Sequence, residues 1–366
     1  MNTQDKGSPL GPDKLFPKTL KGLGRKPTLR INISPSAKSN GTDPSQKTRQ
    51  HKPLPRELLK VQGGDKYKVG DVVAEGGMGV VKQAEDLRCK RIVALKVLRE
   101  DGELSQLDRQ RFIDEARIPA QLEHPNIIPV HELGFDANKR AFYAMKFVKG
   151  STLADILLDI RRGDEKTIER YPLSRILKVF QKVCDAIAFA HSRRVVHCDL
   201  KPDNVMVCDF GEVLVMDWGL ARFMDTEEVD GAAEGSKSGV SLLNPGAIVG
   251  TPGFLAPERI LNDGLTDTYS DIYSLGAMLY SILTLRAPIS GPDTRELLRQ
   301  IVRGDIIPAY AFNDPATLAQ YEDGKVDLRF PHCPEGKIPA ALSDIAMKAL
   351  STLPEDRYDT VQSLQE

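Results

Sequence analysis

The spacing of hydrophobic and polar residues changes at about Lys149. Before that point it is mostly that of strands, interrupted by one stretch in which Leu107, Phe112 and Ala116 have helical spacing. The predicted strands are residues 67–74, 80–84, 91–98, 127–133 and 141–147, and the predicted helix is residues 105–122. After Gly150 helices are predicted at residues 173–191, 269–285, 294–303 and 339–350. This order predicts an α+β fold, with a small antiparallel β-sheet lobe that carries one helix and a larger, mainly helical lobe.

The first 60 residues differ in composition from the rest of the chain. They are rich in Pro, Ser, Lys, Gly and Asn, and they have too few large apolar residues to offset the entropy of ordering. We predict that residues 1–60 form a disordered basic arm, which is either a docking or regulatory segment or a solvated tail. Residues 61–366 are predicted to form the folded domain, with lobes at about 67–148 and 149–366. We expect its last helix to be truncated at Glu366.

Charge and cysteine usage limit the classes of function. Residues 1–56 carry twelve Lys/Arg and three Asp/Glu, about +9, which leaves about −10 on residues 57–366. We therefore expect no nucleic-acid binding by the folded part. The five cysteines are scattered without C-x-x-C spacing, which is typical of a reducing cytoplasm and favours neither disulfides nor structural zinc. The longest uncharged apolar run, Ile272–Leu285, is too short for a membrane span, so we expect a cytoplasmic protein.

Two features of the first lobe favour a bound phosphate. Residues 74–81 read AEGGMGVV, and the glycines let exposed amides approach an anionic ligand, although such a turn also occurs as a simple hairpin. Further on, VALK ends at Lys96, and a lysine that ends an apolar strand needs an anionic partner. Glu115 is the candidate partner, and Asp114 is the alternative. Pro119 should kink or end the helix that carries Glu115.

Residues 195–204 read VVHCDLKPDN, which places several polar side chains directly after an apolar strand. Any one of these residues would fit an ordinary polar turn, but the whole set at this spacing would not. The segment resembles the protein-kinase catalytic loop H-R-D-L-x-x-x-N, and AEGGMGVV, VALK and GTPGFLAPE (residues 250–258) resemble other kinase motifs in order. The chain is therefore identified as a member of the eukaryotic-type serine/threonine protein kinase family, in its bacterial, planctomycete-like branch.

The resemblance covers the chain from about Tyr67 to its last residue. It implies a two-lobed protein-kinase-like fold, with ATP and Mg²⁺ as cofactors and Mn²⁺ as an alternative ion. It also implies a protein substrate with a serine or threonine acceptor, and the chain itself is a candidate acceptor through autophosphorylation.

The resemblance further implies a role for each motif residue. Asp199 would orient the acceptor hydroxyl and take its proton, while Lys201 would contact the γ-phosphate. Thr251 would hydrogen-bond both of these residues, and Lys96 would contact ATP phosphates with its orientation set by Glu115. Ala74 replaces the first glycine of the family loop, and Met145 is the gatekeeper. The expected nucleotide-binding positions are Ala74, Gly76, Gly79, Val81, Ala94, Lys96, Met145, Lys146, Val148, Met206 and Asp217.

Two Asp-aromatic-Gly triplets compete for the second metal ligand, beside the expected ligand Asn204. Asp209-Phe210-Gly211 has the familiar letters, but only four residues separate Asn204 from Asp209, too few for a strand, a turn and a return strand. Twelve residues separate Asn204 from Asp217, which is enough. We therefore predict that Asn204 and Asp217 hold the metal and that Asp209 and Gly211 form a turn.

The substrate end of the chain carries further family features. Glu258 is expected to pair with Arg357, and Asp271 to anchor the backbone of the catalytic loop. Cys198 replaces the arginine that would bind a phosphorylated activation loop; we read it as a buried inert thiol rather than a nucleophile. Candidate phosphorylation sites in the predicted activation loop are Thr226, Ser236, Ser238 and Ser241.

The favoured function is an ATP-dependent serine/threonine protein kinase. A nucleotide-binding scaffold without catalysis is the main alternative, because Ala74, Pro119, Cys198 and Trp218 depart from the family pattern. A small-molecule phosphotransferase is the third reading, which the segment GTPGFLAPE disfavours because it is typical of kinases with protein acceptors.

Overall fold

The computed structural model describes residues 66–76, 79–99, 106–136, 140–224, 251–261, 267–291, 293–320 and 330–366. In this part the chain forms an antiparallel sheet lobe and a mainly helical lobe, so the predicted two-lobed α+β fold is confirmed. The predicted arm, residues 1–60, lies outside the described residues, as do the four candidate phosphorylation sites Thr226, Ser236, Ser238 and Ser241.

The first lobe consists of a five-stranded sheet and one helix. Its strands are β1 (Tyr67–Glu75), β2 (Gly79–Asp86), β3 (Arg91–Leu98), β4 (Val130–Phe135) and β5 (Ala141–Lys146), in the order β1-β2-β3-β5-β4. The helix is α1 (Gln106–Gln121). The register pairs Val81 with Lys96 and Ala94 with Met145. Because side chains alternate along a strand, Ala94 and Lys96 share one face of β3, while Val93 and Leu95 pack in a separate small cluster on the other.

Pro119 was expected to kink or end helix α1, and the helix does not end there, because it continues to Gln121. The helix runs without a break to Gln121, although Pro119 has no N–H to donate to the carbonyl of Glu115. Packing explains why the helix persists, since Phe112, Ala116 and Ile118 are all buried. Burial of this side of the helix offsets the missing backbone hydrogen bond.

The second lobe begins after the hinge that follows β5. Its strands are β6 (Gly150–Thr152), β7 (Val195–Val196), β8 (Val205–Cys208), β9 (Val213–Val215) and β10 (Arg222–Phe223), which form one sheet in the order β6-β8-β9 and a separate β10-β7 pair. Its helices are α2 (Leu153–Arg161), α3 (Glu165–Arg170), α4 (Leu173–Ser192), α5 (Glu258–Leu261), α6 (Thr268–Thr284), α7 (Thr294–Arg303), α8 (Pro315–Ala319), α9 (Ala340–Ala349) and α10 (Val361–Gln365).

Helix α6 forms the centre of the second lobe, as its apolar sequence predicts. Every residue from Ser270 to Thr284 is buried, and the Asp267 side chain caps the first turn by accepting from two backbone amides. At Gly276 the helix lies directly against α9, because a Cβ there would be 2.6 Å from the Cβ of Ala349. The buried helix thus provides a rigid support for the residues at its N-terminal end.

Most predicted elements agree with the structure to within a few residues, but two differences are informative. The strand expected at residues 127–133 begins only at Val130, because Ile127 and Ile128 instead join Val215 of β9 in the other lobe. Helix α2 was not predicted, although Thr152 and Asp155 form a capping box at its start, which is a recognisable signal.

Candidate active site

The segment between β7 and β8 is fixed by hydrogen bonds to Asp271, in the first turn of α6. The backbone N–H groups of His197 and Cys198 donate to the two carboxylate oxygens of Asp271, at 2.8 and 3.0 Å. Cys198 has φ 68°, a left-handed conformation that costs energy for a residue with a side chain. Burial raises the pKa of Asp271, but the hydrogen bonds and charge of His191 and the His197 hydrogen bond outweigh it and leave that pKa below its usual value. A charged, immobile Asp271 therefore stabilises the strained loop, as predicted.

Four predicted catalytic side chains meet at this loop, three from the loop itself and Thr251 from a later segment. The Lys201 ammonium lies 2.8 Å from Oδ2 of Asp199 and 2.8 Å from Oγ1 of Thr251. The Asn204 amide nitrogen donates to the backbone carbonyl of Asp199 at 2.8 Å and to its carboxylate at 3.3 Å. Lys201 thus lies between Thr251 and Asp199, which were expected to contact each other directly. The Asp199 carboxylate is oriented by two donors and remains partly exposed to solvent, at 14%.

Asp217 comes to the same place through the hairpin of β8 and β9. The N–H of Met216 donates to the carbonyl of Asn204 at 2.8 Å, so Asp217 directly follows a residue bonded to the catalytic loop. Asp217 has φ 60°, a left-handed conformation that aspartate tolerates better than most residues. Trp218 beside it is buried, with its ring centroid 4.6 Å from that of His197. The arrangement agrees with the return strand predicted from spacing.

Asp209 lies elsewhere, in the turn between β8 and β9. Its side chain is 65% exposed and 3.4 Å from the guanidinium of Arg170, and the neighbouring Phe210 is fully exposed. Gly211 has φ 80°, which fits the predicted turn. The turn lines a cavity of about 350 Å³ with hinge residues, including Lys146 and Val148. The familiar triplet is therefore a surface turn in the structure.

Lys96 and Glu115 form an ion pair, and a third residue joins them that sequence reasoning did not single out. The Lys96 ammonium donates to Oε1 of Glu115, and the Tyr143 hydroxyl donates to the same oxygen at 2.7 Å. Asp114, the alternative partner, instead accepts from Gln110 on the surface of α1. A Cβ on Gly219 would lie 3.6 Å from the Glu115 side chain and 3.4 Å from Oδ1 of Asp217, so the pair lies next to the predicted metal ligand.

The predicted nucleotide-binding residues lie in the glycine turn and in or against the main hydrophobic core. In the glycine turn the N–H of Gly76 donates to the carbonyl of Gly79 at 2.9 Å, and Ala74 pairs with Val81 across the hairpin. Gly79 is closely packed, because a Cβ there would be 2.9 Å from the carbonyl oxygen of Val97. Ala94 and Met145 belong to the main core, and the partly buried residues Val81, Val148 and Met206 pack against it.

The hinge residue Lys146 has a structural partner in the second lobe. Its ammonium lies 2.5 and 2.7 Å from the two carboxylate oxygens of Glu212, the residue directly before β9. Its N–H donates to the carbonyl of Pro129 at 3.1 Å. The lysine side chain is thus directed to the turn between β8 and β9. Any contact of Lys146 with a nucleotide would therefore be made by its backbone, as expected for a hinge.

The substrate end is locked by a buried ion pair. Two nitrogens of Arg357 donate to the two carboxylate oxygens of Glu258, each at 2.8 Å, and Ser270 donates to the same carboxylate. Burial raises the pKa of Glu258, but the Arg357 bonds and charge outweigh it and hold that pKa below its usual value. This is the pair that the sequence predicted, and it ties α5 to the segment between α9 and α10.

The donor atoms in the cleft fit a hard divalent cation. Asn204 uses its amide nitrogen for the loop, so the amide oxygen is the atom it would offer to a metal, beside the carboxylate of Asp217. The residues that the structure describes contain no group of three or more His, Cys, Asp or Glu side chains that could hold a metal. Two protein oxygens suit a hard divalent cation that completes its coordination with substrate phosphates and water.

Among the helices of the described ranges, none is long and apolar enough to cross a membrane.

Comparison with known proteins agrees with this geometry. Residues 67–366 match the family model described as protein kinase domain. The chain is 35% identical over 313 residues to "Serine/threonine-protein kinase PknD" of Chlamydia trachomatis serovar D. The aligned region covers 82% of this chain and 31% of that protein. Proteins of the same name are 35% identical in Chlamydia muridarum, over 82% of this chain and 31% of the relative, and 34% identical in Chlamydia pneumoniae, over 82% and 30%. The chain thus spans about a third of the length of these relatives.

Proposed function

The chain belongs to the protein kinase family, and we propose that it transfers the γ-phosphate of ATP to serine and threonine hydroxyls of proteins. The observation that carries the proposal is the joint arrangement of Asp199, Lys201 and Thr251, with the Lys201 ammonium 2.8 Å from each of the other two side chains. A carboxylate for the acceptor proton and a cation for the transferred phosphate therefore lie within one hydrogen bond of each other.

We assign the proton transfer to Asp199. Its carboxylate is oriented by Lys201 and Asn204, so it is positioned to accept the proton of a serine or threonine hydroxyl. As the acceptor oxygen bonds to the γ-phosphorus, the bond to the bridging oxygen of ADP breaks and the proton passes to Asp199. Lys201 then neutralises negative charge on the transferred group, with Thr251 fixing the direction of its ammonium.

We assign the binding of the remaining phosphates to the first lobe and to a metal ion. Lys96, held by Glu115, contributes a positive charge, and the turn that contains Gly76 and Gly79 has no side chain at these two positions to keep its backbone away from the phosphates. Asn204 and Asp217 would hold Mg²⁺. A bound Mg²⁺ supplies charge neutralisation and alignment of the phosphate oxygens. Adenine would lie between Ala94 and Met206, next to Met145 and the backbone of Lys146 and Val148.

The acceptor is proposed to be a protein, in agreement with the names of the relatives. The segment from Thr251 to Glu258 is ordered against the catalytic loop and locked by Arg357, which gives an extended acceptor a fixed surface. Autophosphorylation is part of the proposal, with the chain as its own protein acceptor. We place the reaction in a reducing compartment, the cytoplasm, because all five cysteines are free thiols and four are buried.

The test is transfer of labelled phosphate from ATP in the presence of Mg²⁺, measured on the chain itself and on an added basic protein. Asp217→Ala is expected to lose at least about a hundredfold in rate, because it removes the carboxylate proposed to bind the metal. Asp209→Ala should stay within about twofold of wild type, because an exposed ion pair contributes little. The reverse ranking would refute the choice of Asp217. Nucleotide binding without any transfer by wild type would instead indicate the scaffold.

A further inference from the structure

Tyr143 of β5 connects three parts of the cleft, and neither the catalytic loop nor the glycine turn accounts for it. The residue is 4% exposed, and its hydroxyl donates to Oε1 of Glu115 at 2.7 Å. Its ring centroid lies 5.3 Å from that of Phe112, also on α1, and 5.8 Å from the Lys96 ammonium. Tyr143 therefore contacts both members of the ion pair and the helix that carries one of them.

The Glu115 carboxylate depends on few donors for its orientation. Both Lys96 and Tyr143 donate to Oε1, while Oε2 is buried and has no hydrogen-bond partner among the described residues. Burial, and then the charge and hydrogen bond of Glu115, hold the pKa of Tyr143 well above its usual value, so the hydroxyl keeps its proton and remains a donor. A charged acceptor makes such a bond about twice as strong as one between neutral groups.

The backbone of α1 at Glu115 is also weaker than that of an ordinary helix. Pro119 lies four residues later and cannot donate to the carbonyl of Glu115. The position of this side chain thus relies more on contacts from outside the helix. Tyr143 supplies such a contact from the sheet, which is a rigid neighbour in the same lobe.

We propose that Tyr143 is a positioning residue, whose hydroxyl holds Glu115 and thereby α1 in the arrangement that orients Lys96 toward the phosphates. The inference rests on the proposed function for its consequence in catalysis, but its structural part concerns the ligand-free protein. A hydrogen bond to a charged group corresponds to roughly a ten- to hundredfold change in an equilibrium constant. Loss of the hydroxyl should therefore populate arrangements in which Glu115 has left Lys96.

The first test is hydrogen–deuterium exchange of the ligand-free protein. Tyr143→Phe keeps the ring and removes only the hydroxyl, and it should raise the exchange rate of the α1 amides about tenfold. The matched control is Tyr280→Phe, which removes a buried hydroxyl that donates to the carbonyl of Ile307 in the other lobe, and it should leave α1 exchange unchanged. Unchanged α1 exchange in Tyr143→Phe would overturn the inference. If wild type transfers no phosphate, the proposed function fails, and this measurement alone decides the role of Tyr143.

The second test separates positioning from general stability. In steady-state transfer, Tyr143→Phe should lower kcat about tenfold and leave the KM for the protein acceptor unchanged, whereas Tyr280→Phe should change neither. In a Glu115→Ala background the same Tyr143→Phe change should lower kcat no further, because its target is gone. An equal fall in both backgrounds would overturn the inference.

Pro119→Ala provides a rescue that only the positioning role predicts. It restores the N–H that can donate to the Glu115 carbonyl, so the effect of Tyr143→Phe on α1 exchange should become smaller, by about threefold or more. An undiminished effect would contradict the claim that the tyrosine compensates for the proline.

Discussion

Removal of the Arg357 guanidinium is expected to cause a large loss of stability. All five of its N–H donors are used: two bind the Glu258 carboxylate, and three bind the backbone carbonyls of Tyr269, Ser351 and Thr352, at 2.8 to 3.1 Å. The Arg357 side chain is 0% exposed and that of Glu258 is 10% exposed. Arg357→Leu would leave Ser270 as the remaining side-chain donor to the Glu258 carboxylate and would remove one donor from each of three partly buried carbonyls.

The magnitude follows from this burial. Breaking a buried ion pair by removing one partner costs about 3–5 kcal/mol. The three carbonyls that each lose a donor put this site near the upper end of that range. We therefore expect Arg357→Leu to lower the free energy of unfolding by about 5 kcal/mol, equivalent to a fall in Tm of about 8 °C for a folded domain of this size. Arg357→Lys should recover only part of the loss, because lysine keeps the charge without the planar fork.

The assay is urea denaturation followed by the fluorescence of the chain's single tryptophan, Trp218. The matched control is Arg299→Leu, which breaks an ion pair with Glu296 at 3.3 Å whose side chains are 64% and 46% exposed, and it should cost less than about 1 kcal/mol. A double-mutant cycle with Glu258→Gln should show strong coupling, since the two residues act as one unit. A loss below about 1 kcal/mol for Arg357→Leu, or no coupling, would refute the reasoning.

The same pair has a predictable pH dependence. The folded-state pKa of Glu258 lies below its reference value of 4.5, so the pair contributes its stability above that value. As the pH falls through the lower folded-state pKa, the carboxylate is protonated and the contribution is lost. The stability difference between wild type and Glu258→Gln should therefore narrow only in acid, and a difference that narrows between neutral pH and 4.5 would contradict the assignment.

Two further predictions concern Thr251 and His332. Thr251→Val removes the hydroxyl that accepts from Lys201 at 2.8 Å, so kcat for phosphate transfer should fall about tenfold while Thr251→Ser retains most of it; equal activity of both variants would disprove the role. Burial lowers the pKa of His332 below its ordinary value of 6.5. As the pH falls below 6.5, this histidine is protonated in the unfolded chain before it is protonated in the folded one, so the free energy of unfolding decreases. His332→Gln keeps a donor for the carbonyl of Ile282 but does not titrate. Urea unfolding at neutral pH and at about pH 5.5 should therefore show a smaller loss of unfolding free energy for this variant than for wild type. Identical losses would contradict the prediction.

Spacing along the chain was sufficient to separate the two aspartates. The twelve residues between Asn204 and Asp217 predict a hairpin, and β8 and β9 form it, while Asp209 lies in its turn. This inference succeeded because chain length limits how far a segment can travel and return, whatever the rest of the fold does. The strand predicted at residues 91–98 is likewise present as β3, because the pattern of a strand is set by local geometry.

Residues that act across the fold could not be inferred in the same way. Pro119 predicts a kink or an end of the helix, yet α1 does not end there, because the burial of its apolar side offsets the local cost. Ile127 is β-branched, as is typical of strands, and was expected in a strand of the first lobe, but it forms a β-bridge with Val215 in the other lobe. Local preference is a weak guide wherever packing from distant segments contributes more free energy than the backbone term.

The sequence by itself thus determined the two lobes, most of their longer elements and the hairpin that separates Asp209 from Asp217, because each depends on period or spacing. Only the tertiary structure decided that Tyr143 holds Glu115, 28 residues away along the chain, and that Lys146 pairs with Glu212, 66 residues away. Nothing in the local sequence marks such pairs, since a hydroxyl or an ammonium has many acceptors of equal chemistry. Their choice is made by the packing of the sheet, α1 and the β8–β9 hairpin, which brings one acceptor within reach of each donor.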